Sequence, residues 1–277
     1  MLVLAGLGIS PEHITMGLLA YLEKAGKIYL DTYTMPVSRL TLDFLKDRFP
    51  GKLVLSTRKT LEEESYRVLE EAEKELIVVL VPGDPLIATT HVSLVVEARR
   101  RGISTRVLPG ISGVVASMTS TGLSYYKFGK TATIPGPWRG VKPYSTLATV
   151  YSNMCMGAHT LLLLDIDDKG AQLRPEDGIR TLLNLEREMG LSLLSRIKLL
   201  VVWDAGTGYE RVVEYDLGSS SHGHQGGIAS VVVPGDISKL EVEHVSILHG
   251  INLDYESHKR VTREACKALE AIENLDN

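Results

Sequence analysis

Apolar positions in the first part of the chain come in two rhythms. Short, near-continuous runs at residues 2–5, 27–30, 53–56, 77–81 and 105–108 have the length and composition of strands buried in a parallel sheet. Between them the spacing changes to that of a helix. Ile14, Leu18, Tyr21, Leu22 and Ala25 share one face, and so do Leu61, Val68, Leu69, Ala72 and Leu76 within a highly charged segment. The pattern predicts a βαβ opening whose second strand reaches Asp31, a surface helix over 61–76, and helices over 86–101 and 114–120.

Strands end here in small-residue turns that lead into helices. The turns read Gly6-Leu7-Gly8-Ile9-Ser10-Pro11, Pro82-Gly83-Asp84-Pro85 and Pro109-Gly110-Ile111-Ser112-Gly113. Ser10 before Pro11, and Asp84 before Pro85, each have the form of an N-cap followed by the first helical residue. In open α/β sheets, ligands sit outside the carboxyl ends of the strands, where such turns converge. The stretch IVVLVPGDPL at 77–86 therefore has two readings, a helix start and part of a small-molecule site.

From Gly122 the texture changes. Residues 124–141 are rich in Tyr, Lys, Gly and Pro without a clear period, which predicts a functional loop or a domain crossing with a short strand at 131–134. A helix is expected over 144–156, a strand over 160–164 ending on Asp165, and a helix over 175–190 with Ile179, Leu182, Leu183, Leu185 and Met189 on one face. Strands at 198–203, 211–215 and 229–233 follow, and their tight spacing through Gly206 and Gly208 predicts antiparallel pairing. A charged amphipathic helix begins at about Glu256. The expectation is two α/β domains, residues 1–113 with a mostly parallel sheet and 114–277 with a mixed one. VVLVPGD at 78–84 and VVVPGD at 231–236 echo each other, but so short a match arises easily by chance.

Composition narrows the class. The 277 residues are 44% apolar and 23% charged, as in ordinary globular proteins, and the formal net charge of −4 offers no global basic field for nucleic acid or an anionic membrane. Arg99, Arg100 and Arg101 close a helix, where the helix dipole favours them. Cys155 and Cys266 are far apart and lack His or Cys at metal spacing, so neither a disulfide framework nor a zinc knuckle is expected, and a reducing cytoplasm is. The start MLVLAGLGIS lacks a basic n-region and its apolar run is too short for a signal peptide. No window approaches the run of about 20 apolar residues that a membrane helix needs.

Candidate chemistry centres on the turns. Gly6 and Gly8 with Asp31 superficially match the dinucleotide fingerprint, but Pro11 stands where a small residue is needed for close packing, so NAD is disfavoured. There is no G-x-x-x-x-G-K-[ST] loop, and few basic residues flank the glycines. A cofactor without phosphates fits better. S-adenosylmethionine wants a carboxylate, backbone polar groups and apolar walls. Asp84 is the candidate carboxylate, and Ile9, Ile87, Ser112 and Gly113 are candidates for backbone groups and walls. His222 and His224 would need a third ligand to hold a metal and otherwise read as a polar loop. Asp165, Asp167 and Asp168 could suit a cation, or form a solvated strand end. No metal is expected.

Longer stretches carry a resemblance. LVLAGLGI at the start, YLDTYT at 29–34, VPGDPLIATTH at 81–91 and VLPGISGVVASMTSTGLSYYKFGKTATIP at 107–135 resemble the diphthine synthases, as do HTLLLLDI at 159–166 and WDAGTGYERVV at 203–213. That family lies within the tetrapyrrole-methylase-like (class III) group of S-adenosylmethionine-dependent methyltransferases. The resemblance implies two α/β domains with the cofactor in the cleft between them, and a homodimer. It implies cofactor contacts at Ile9, Asp84, Ile87, Ser112, Gly113, Leu163 and Ala205, plus one residue in the strand before Val233. The family tends to place a His there. This chain has Ala229 or Ser230, and Ser230 is the residue taken.

The implied reaction is successive methylation of the amino group of a modified histidine, 2-(3-amino-3-carboxypropyl)histidine, in translation elongation factor 2. The products are diphthine and S-adenosylhomocysteine. Such an in-line transfer spreads positive charge rather than building it, and placement of the reactants supplies most of the rate. No residue stands out as the proton acceptor. The loop from Tyr125 to Val141 is the expected edge for a protein substrate. Competing readings are a methyltransferase of the same group acting on a tetrapyrrole or corrin precursor, an NAD-dependent oxidoreductase, and a non-catalytic protein that senses the cofactor.

Overall fold

Apolar runs of the N-terminal part become one sheet. In the computed structural model, β1 (Leu2–Gly8), β2 (Lys27–Asp31), β3 (Leu53–Ser56), β4 (Ile77–Pro82) and β5 (Thr105–Leu108) lie in the order β3-β2-β4-β1-β5 and all pair in parallel. The structure describes residues 1–167, 169–215 and 227–273, without the side chains of 270–273. The chain divides into two units, Met1–Val115 with Asp168–Ala171, and Ala116–Asp167 with Gln172–Asn277.

In the first unit, alternation along the strands sends side chains to two apolar layers. Val3, Ala5, Val78 and Leu80 pack with Leu18 and Leu22 of α1 (Met16–Lys24) and with Leu45 of α2 (Arg39–Arg48). Leu2, Leu4, Ile77, Val79 and Val81 pack with Val68 and Leu69 of α3 (Ser65–Lys74) and with Leu94 of α4 (Val92–Arg100). A fully buried Leu or Val of this kind contributes about 1.5–3 kcal/mol. The chain leaves β1 through α1 toward β2 and leaves β4 through α4 toward β5, so these neighbours send their helices to opposite faces. That is a topological switch point, and it opens a crevice at the carboxyl ends of β1 and β4.

Helix starts differ from expectation. Ser10 and Pro11 open only a 3-10 turn (Pro11–His13), and α1 is capped by Thr15, whose Oγ1 accepts the Leu18 amide at 3.1 Å. The helix expected from Leu86 begins at Val92, after a non-helical segment. The charged segment divides into a π-helical turn (Lys59–Glu63) and α3. The apolar spacing gave no sign of α2, which is capped by Ser38 and buries only Thr41 and Leu45.

In the second unit, whose first helix α5 (Gly113–Thr119) spans the division of the chain, the sheet is mixed. Its strands β6 (Ala132–Ile134), β7 (Thr160–Leu164), β8 (Leu200–Trp203), β9 (Arg211–Glu214) and β10 (Ala229–Val233) run in the order β6-β7-β10-β8-β9. Only β6 and β7 are parallel. One face packs against α6 (Tyr144–Cys155) and α7 (Pro175–Glu188) through Leu147, Tyr151, Ile179 and Leu182, which meet Leu162, Val201, Val231 and Val233. Leu161, Leu163, Val202, Ser230 and Val232 alternate onto the other face. α8 (Lys239–His249) begins with a capping box between Ser238 and Glu241. α9 (Tyr255–Glu273) packs on α6.

One expectation is overturned outright. Cys155 at the end of α6 is disulfide-bonded to Cys266 in α9, with their Cα atoms 4.8 Å apart. A spacing of 111 residues hides such a pair, because only the packing of the two helices brings the cysteines together. Among the described residues, no helix is long and apolar enough to cross a membrane.

Candidate functional site

Glycine decides how closely the turns of the first unit approach. Gly8 and Gly83 exchange backbone hydrogen bonds of 3.1 and 2.9 Å. A Cβ on Gly6 would lie 2.5 Å from the Gly110 nitrogen and 2.6 Å from the Gly83 oxygen, and one on Gly110 would overlap that same oxygen. The ends of β1, β4 and β5 thus meet backbone to backbone, which only residues without a side chain permit.

Asp84 fastens this junction. Its Oδ1 accepts the Leu86 amide at 2.9 Å and its Oδ2 accepts the Gly110 amide at 3.1 Å. The reading of Asp84 as the cap of an α-helix is therefore corrected: the carboxylate closes a local turn and staples it to the turn after β5. Half-buried, it retains one free lone-pair direction on each oxygen. Ile9, in the turn after β1, is half-buried, and it is followed by Ser10, whose Oγ is buried without a hydrogen-bond partner. Ile87 is 40% exposed and precedes Ala88, which holds a left-handed φ of 57°. Ser112 is buried and its Oγ accepts the Val114 amide at 3.2 Å, while Gly113 opens α5. Ile9, Asp84, Ile87, Ser112 and Gly113 thus come from three turns at one edge of the sheet.

Asp31, the carboxylate a dinucleotide would require, is turned inward. Its Oδ1 accepts the Tyr33 and Thr34 amides at 2.8 and 3.0 Å, and its Oδ2 bonds the Thr34 hydroxyl and His91 Nε2, the latter at 2.7 Å. Burial pushes the carboxyl pKa up, but the His91 and Thr34 bonds outweigh it and leave Asp31 below the usual carboxylate range. With four donors and no exposure it has nothing left for a ribose.

In the second unit, Leu163 of β7 and Ser230 of β10 are direct partners in the ladder. Ser230 Oγ is buried without a partner. Ala229, the other candidate at this place, has its backbone amide and carbonyl both taken by the side-chain amide of Gln172, at 2.8 and 2.9 Å. Of the two, only Ser230 has a side-chain polar group, and that group is buried without a partner. Ala205 is nearly buried just beyond β8, after Asp204, whose φ is 48° and whose Oδ1 accepts the Ile228 amide at 3.0 Å.

Asp165 is not a free cation ligand. Arg139 grips it with two bonds of 2.8 and 3.0 Å, and the Gly136 and Ile166 amides add bonds of 3.0 and 2.9 Å. Burial raises its pKa, and Arg139 with these amides lowers it further than burial raises it. Asp168, His222 and His224 lie outside the described residues.

The donor set suits a ligand without phosphates. In the turns of the first unit it offers backbone amides and carbonyls, one half-buried carboxylate and the orphaned Ser10 hydroxyl, and among the described residues no Lys or Arg bonds to these turns. A buried hydroxyl without a partner costs about 1–3 kcal/mol, a cost that a ligand accepting or donating there removes. Sequence patterns pointed to the carboxylate and the apolar walls. Ser10 was masked by its likeness to a helix cap, and Gln172 carries no signal, since only the fold brings it to Ala229.

Residues 1–219 match the family Tetrapyrrole (Corrin/Porphyrin) Methylases. The chain is 38% identical over 248 residues to the diphthine synthase of Aeropyrum pernix, covering 87% of this chain and 84% of that one. It is 40% identical over 218 residues to the diphthine synthase of Staphylothermus marinus, covering 77% and 80%. A crystal structure of a conserved hypothetical protein from Aeropyrum pernix K1 superposes with a TM-score of 0.86 at 34% identity, over 97% of both chains. With its parallel sheet closed at the carboxyl edge by three glycine turns, its mixed second sheet, and these relatives along most of its length, the chain belongs to the tetrapyrrole methylase family, in its diphthine synthase branch.

Proposed function

We propose that this chain is the S-adenosylmethionine-dependent N-methyltransferase that successively methylates the amino group of 2-(3-amino-3-carboxypropyl)histidine in translation elongation factor 2, giving diphthine. The observation that carries the reading is the glycine junction held by Asp84, which offers backbone groups and a carboxylate to a compact ligand without phosphates. Ile9, Asp84, Ile87, Ser112 and Gly113 are the cofactor contacts of the first unit, and Leu163, Ala205 and Ser230 those of the second. When bound, the cofactor supplies a methyl group on a sulfonium sulfur to the incoming amine. The chain's own part is to fix that methyl and keep water away from it, since alignment is the main source of rate in such a transfer.

The protein substrate rests on the 124–141 loop, where Tyr125, Tyr126, Trp138 and Val141 are exposed. Leu240, Ile247 and Leu248, exposed on one side of α8, support a second copy of the chain as partner. The chain works in the cytoplasm. The NAD reading loses its carboxylate with Asp31.

The test is a thermal-shift comparison of S-adenosylhomocysteine, NAD and a tetrapyrrole, followed by incubation with S-adenosylmethionine and elongation factor 2 carrying the unmethylated side chain. Stabilisation by S-adenosylhomocysteine and stepwise methylation of the factor are expected. Stabilisation by NAD alone, or binding without transfer, overturns the reading.

A further inference from the structure

The segment between β4 and α4 carries Asp84 and Ile87, yet it is neither strand nor α-helix, so something other than regular hydrogen bonding must hold it. At its start, Asp84 bonds Leu86 and Gly110. In its middle, Thr89 Oγ1 donates to the Pro85 carbonyl at 2.6 Å. At its far end, two adjacent side chains reach to other elements. Thr90 Oγ1 donates to Glu62 at 2.9 Å, and His91 Nε2 lies 2.7 Å from Asp31 Oδ2. Tyr33 sits between these anchors, its ring edge-on to His91 at 6.0 Å and its hydroxyl donating to Glu62 at 3.2 Å. The middle of the strap is open, with Leu86 44% and Ile87 40% exposed and Ala88 in the left-handed region, and of the two anchors at its far end Thr90 is exposed and His91 buried.

His91 is 2% exposed and Asp31 is fully buried. Burying a carboxylate costs several kcal/mol that an apolar pair of the same volume would not incur. Asp31 has no free lone pair with which to touch a ligand, so the pair cannot act on substrate directly. What it does is join the end of β2 to the end of the strap. We infer that Asp31 and His91 are a positioning pair for the cofactor: they fix the far end of the 84–91 strap and so hold Ile87 and Asp84 in binding geometry. This rests on the cofactor reading proposed above.

The experiment measures S-adenosylhomocysteine affinity by calorimetry, and kcat and KM for S-adenosylmethionine, in the full chain and its variants. His91→Leu removes the bond, whereas His91→Gln keeps an amide donor at the reach of Nε2. His91→Leu is expected to weaken S-adenosylhomocysteine binding about tenfold or more, with kcat at saturating cofactor within about threefold of wild type. His91→Gln is expected to restore binding to within about threefold of wild type. Wild-type affinity in folded His91→Leu overturns the inference, as does a fall in kcat with affinity unchanged, which would mark direct participation in the reaction. Should His91→Leu not fold, Asp31→Asn keeps the shape without the charge. The same loss of affinity is expected there, and an unchanged affinity overturns the inference. A wild-type chain that binds no S-adenosylhomocysteine is a different failure, that of the cofactor reading itself.

Discussion

The Asp84 carboxylate accepts the backbone amide of Gly110 at 3.1 Å, and that one bond joins turns 26 residues apart. Asp84→Ala removes it together with the Leu86 contact, while the glycine junction and its backbone bonds remain. A hydrogen bond to a charged group is worth about 1.5–3 kcal/mol, so S-adenosylhomocysteine affinity should fall roughly ten- to a hundredfold. Asp84→Asn keeps one acceptor and should fall in between. Titration calorimetry on the three proteins checks the order, and equal affinities would return Asp84 to a purely structural role.

Ser230 should separate stability from binding. Its Oγ is buried and unpartnered without ligand, so Ser230→Ala relieves a cost of about 1 kcal/mol or more and raises the denaturation midpoint of the free protein. The same change deletes a group that the cofactor would satisfy, and affinity for S-adenosylhomocysteine should drop. Opposite signs in chemical denaturation and in calorimetry are the expected signature. A variant that loses stability and keeps full affinity contradicts it.

The Cys155–Cys266 bond closes a loop spanning 111 residues of sequence. Constraining so long a loop in the unfolded chain stabilises the fold by about 2–4 kcal/mol. Dithiothreitol, or Cys155→Ser with Cys266→Ser, should lower the melting temperature by several degrees. Thiol titration of the unfolded, unreduced protein should find no free cysteine. Two titratable thiols with an unchanged melting temperature would show that the bond does not form in solution.

Acid should weaken the protein through His258. It is 1% exposed on α9. Burial pushes its pKa down from 6.5 to about 4, with His159 lowering it too and the Pro234 carbonyl and Asp254 opposing. Between those values the unfolded chain binds the proton and the folded chain does not. The contribution is therefore complete above the unfolded value and is lost as pH falls toward 4, in total on the order of 3 kcal/mol. Denaturation curves across that window should show the slope, and His258→Leu should flatten it.

The parts legible in the sequence were those whose local pattern and burial agree. The runs that became β4, β7 and β10 are apolar because both faces are covered, so their boundaries could be read to within a residue. α8 escaped because its helical pattern points the wrong way: Glu241 and Val245 are buried while Leu240, Ile247 and Leu248 are exposed. Glu241 tolerates this because His159, Lys127 and the Ser124 and Ser238 amides saturate it, and these bonds hold its pKa far below normal despite burial. At the site, Asp84 was legible as a carboxylate in a turn. Its true partner, Gly110, was not, because a bond across 26 residues leaves no periodicity to detect.

The place of β1 in its sheet has a consequence for biosynthesis. β1 pairs with β4 on one side and β5 on the other, so the strand made first among the five is flanked by the two made last. At a synthesis rate of roughly 5–20 residues per second, Leu2–Gly8 is without either ladder for several seconds while the intervening chain emerges. An apolar strand with both edges open is a hazard for association with other nascent chains. Substitutions that slow the docking of β4 or β5 should therefore reduce the yield of soluble protein more than they reduce the stability of what is recovered.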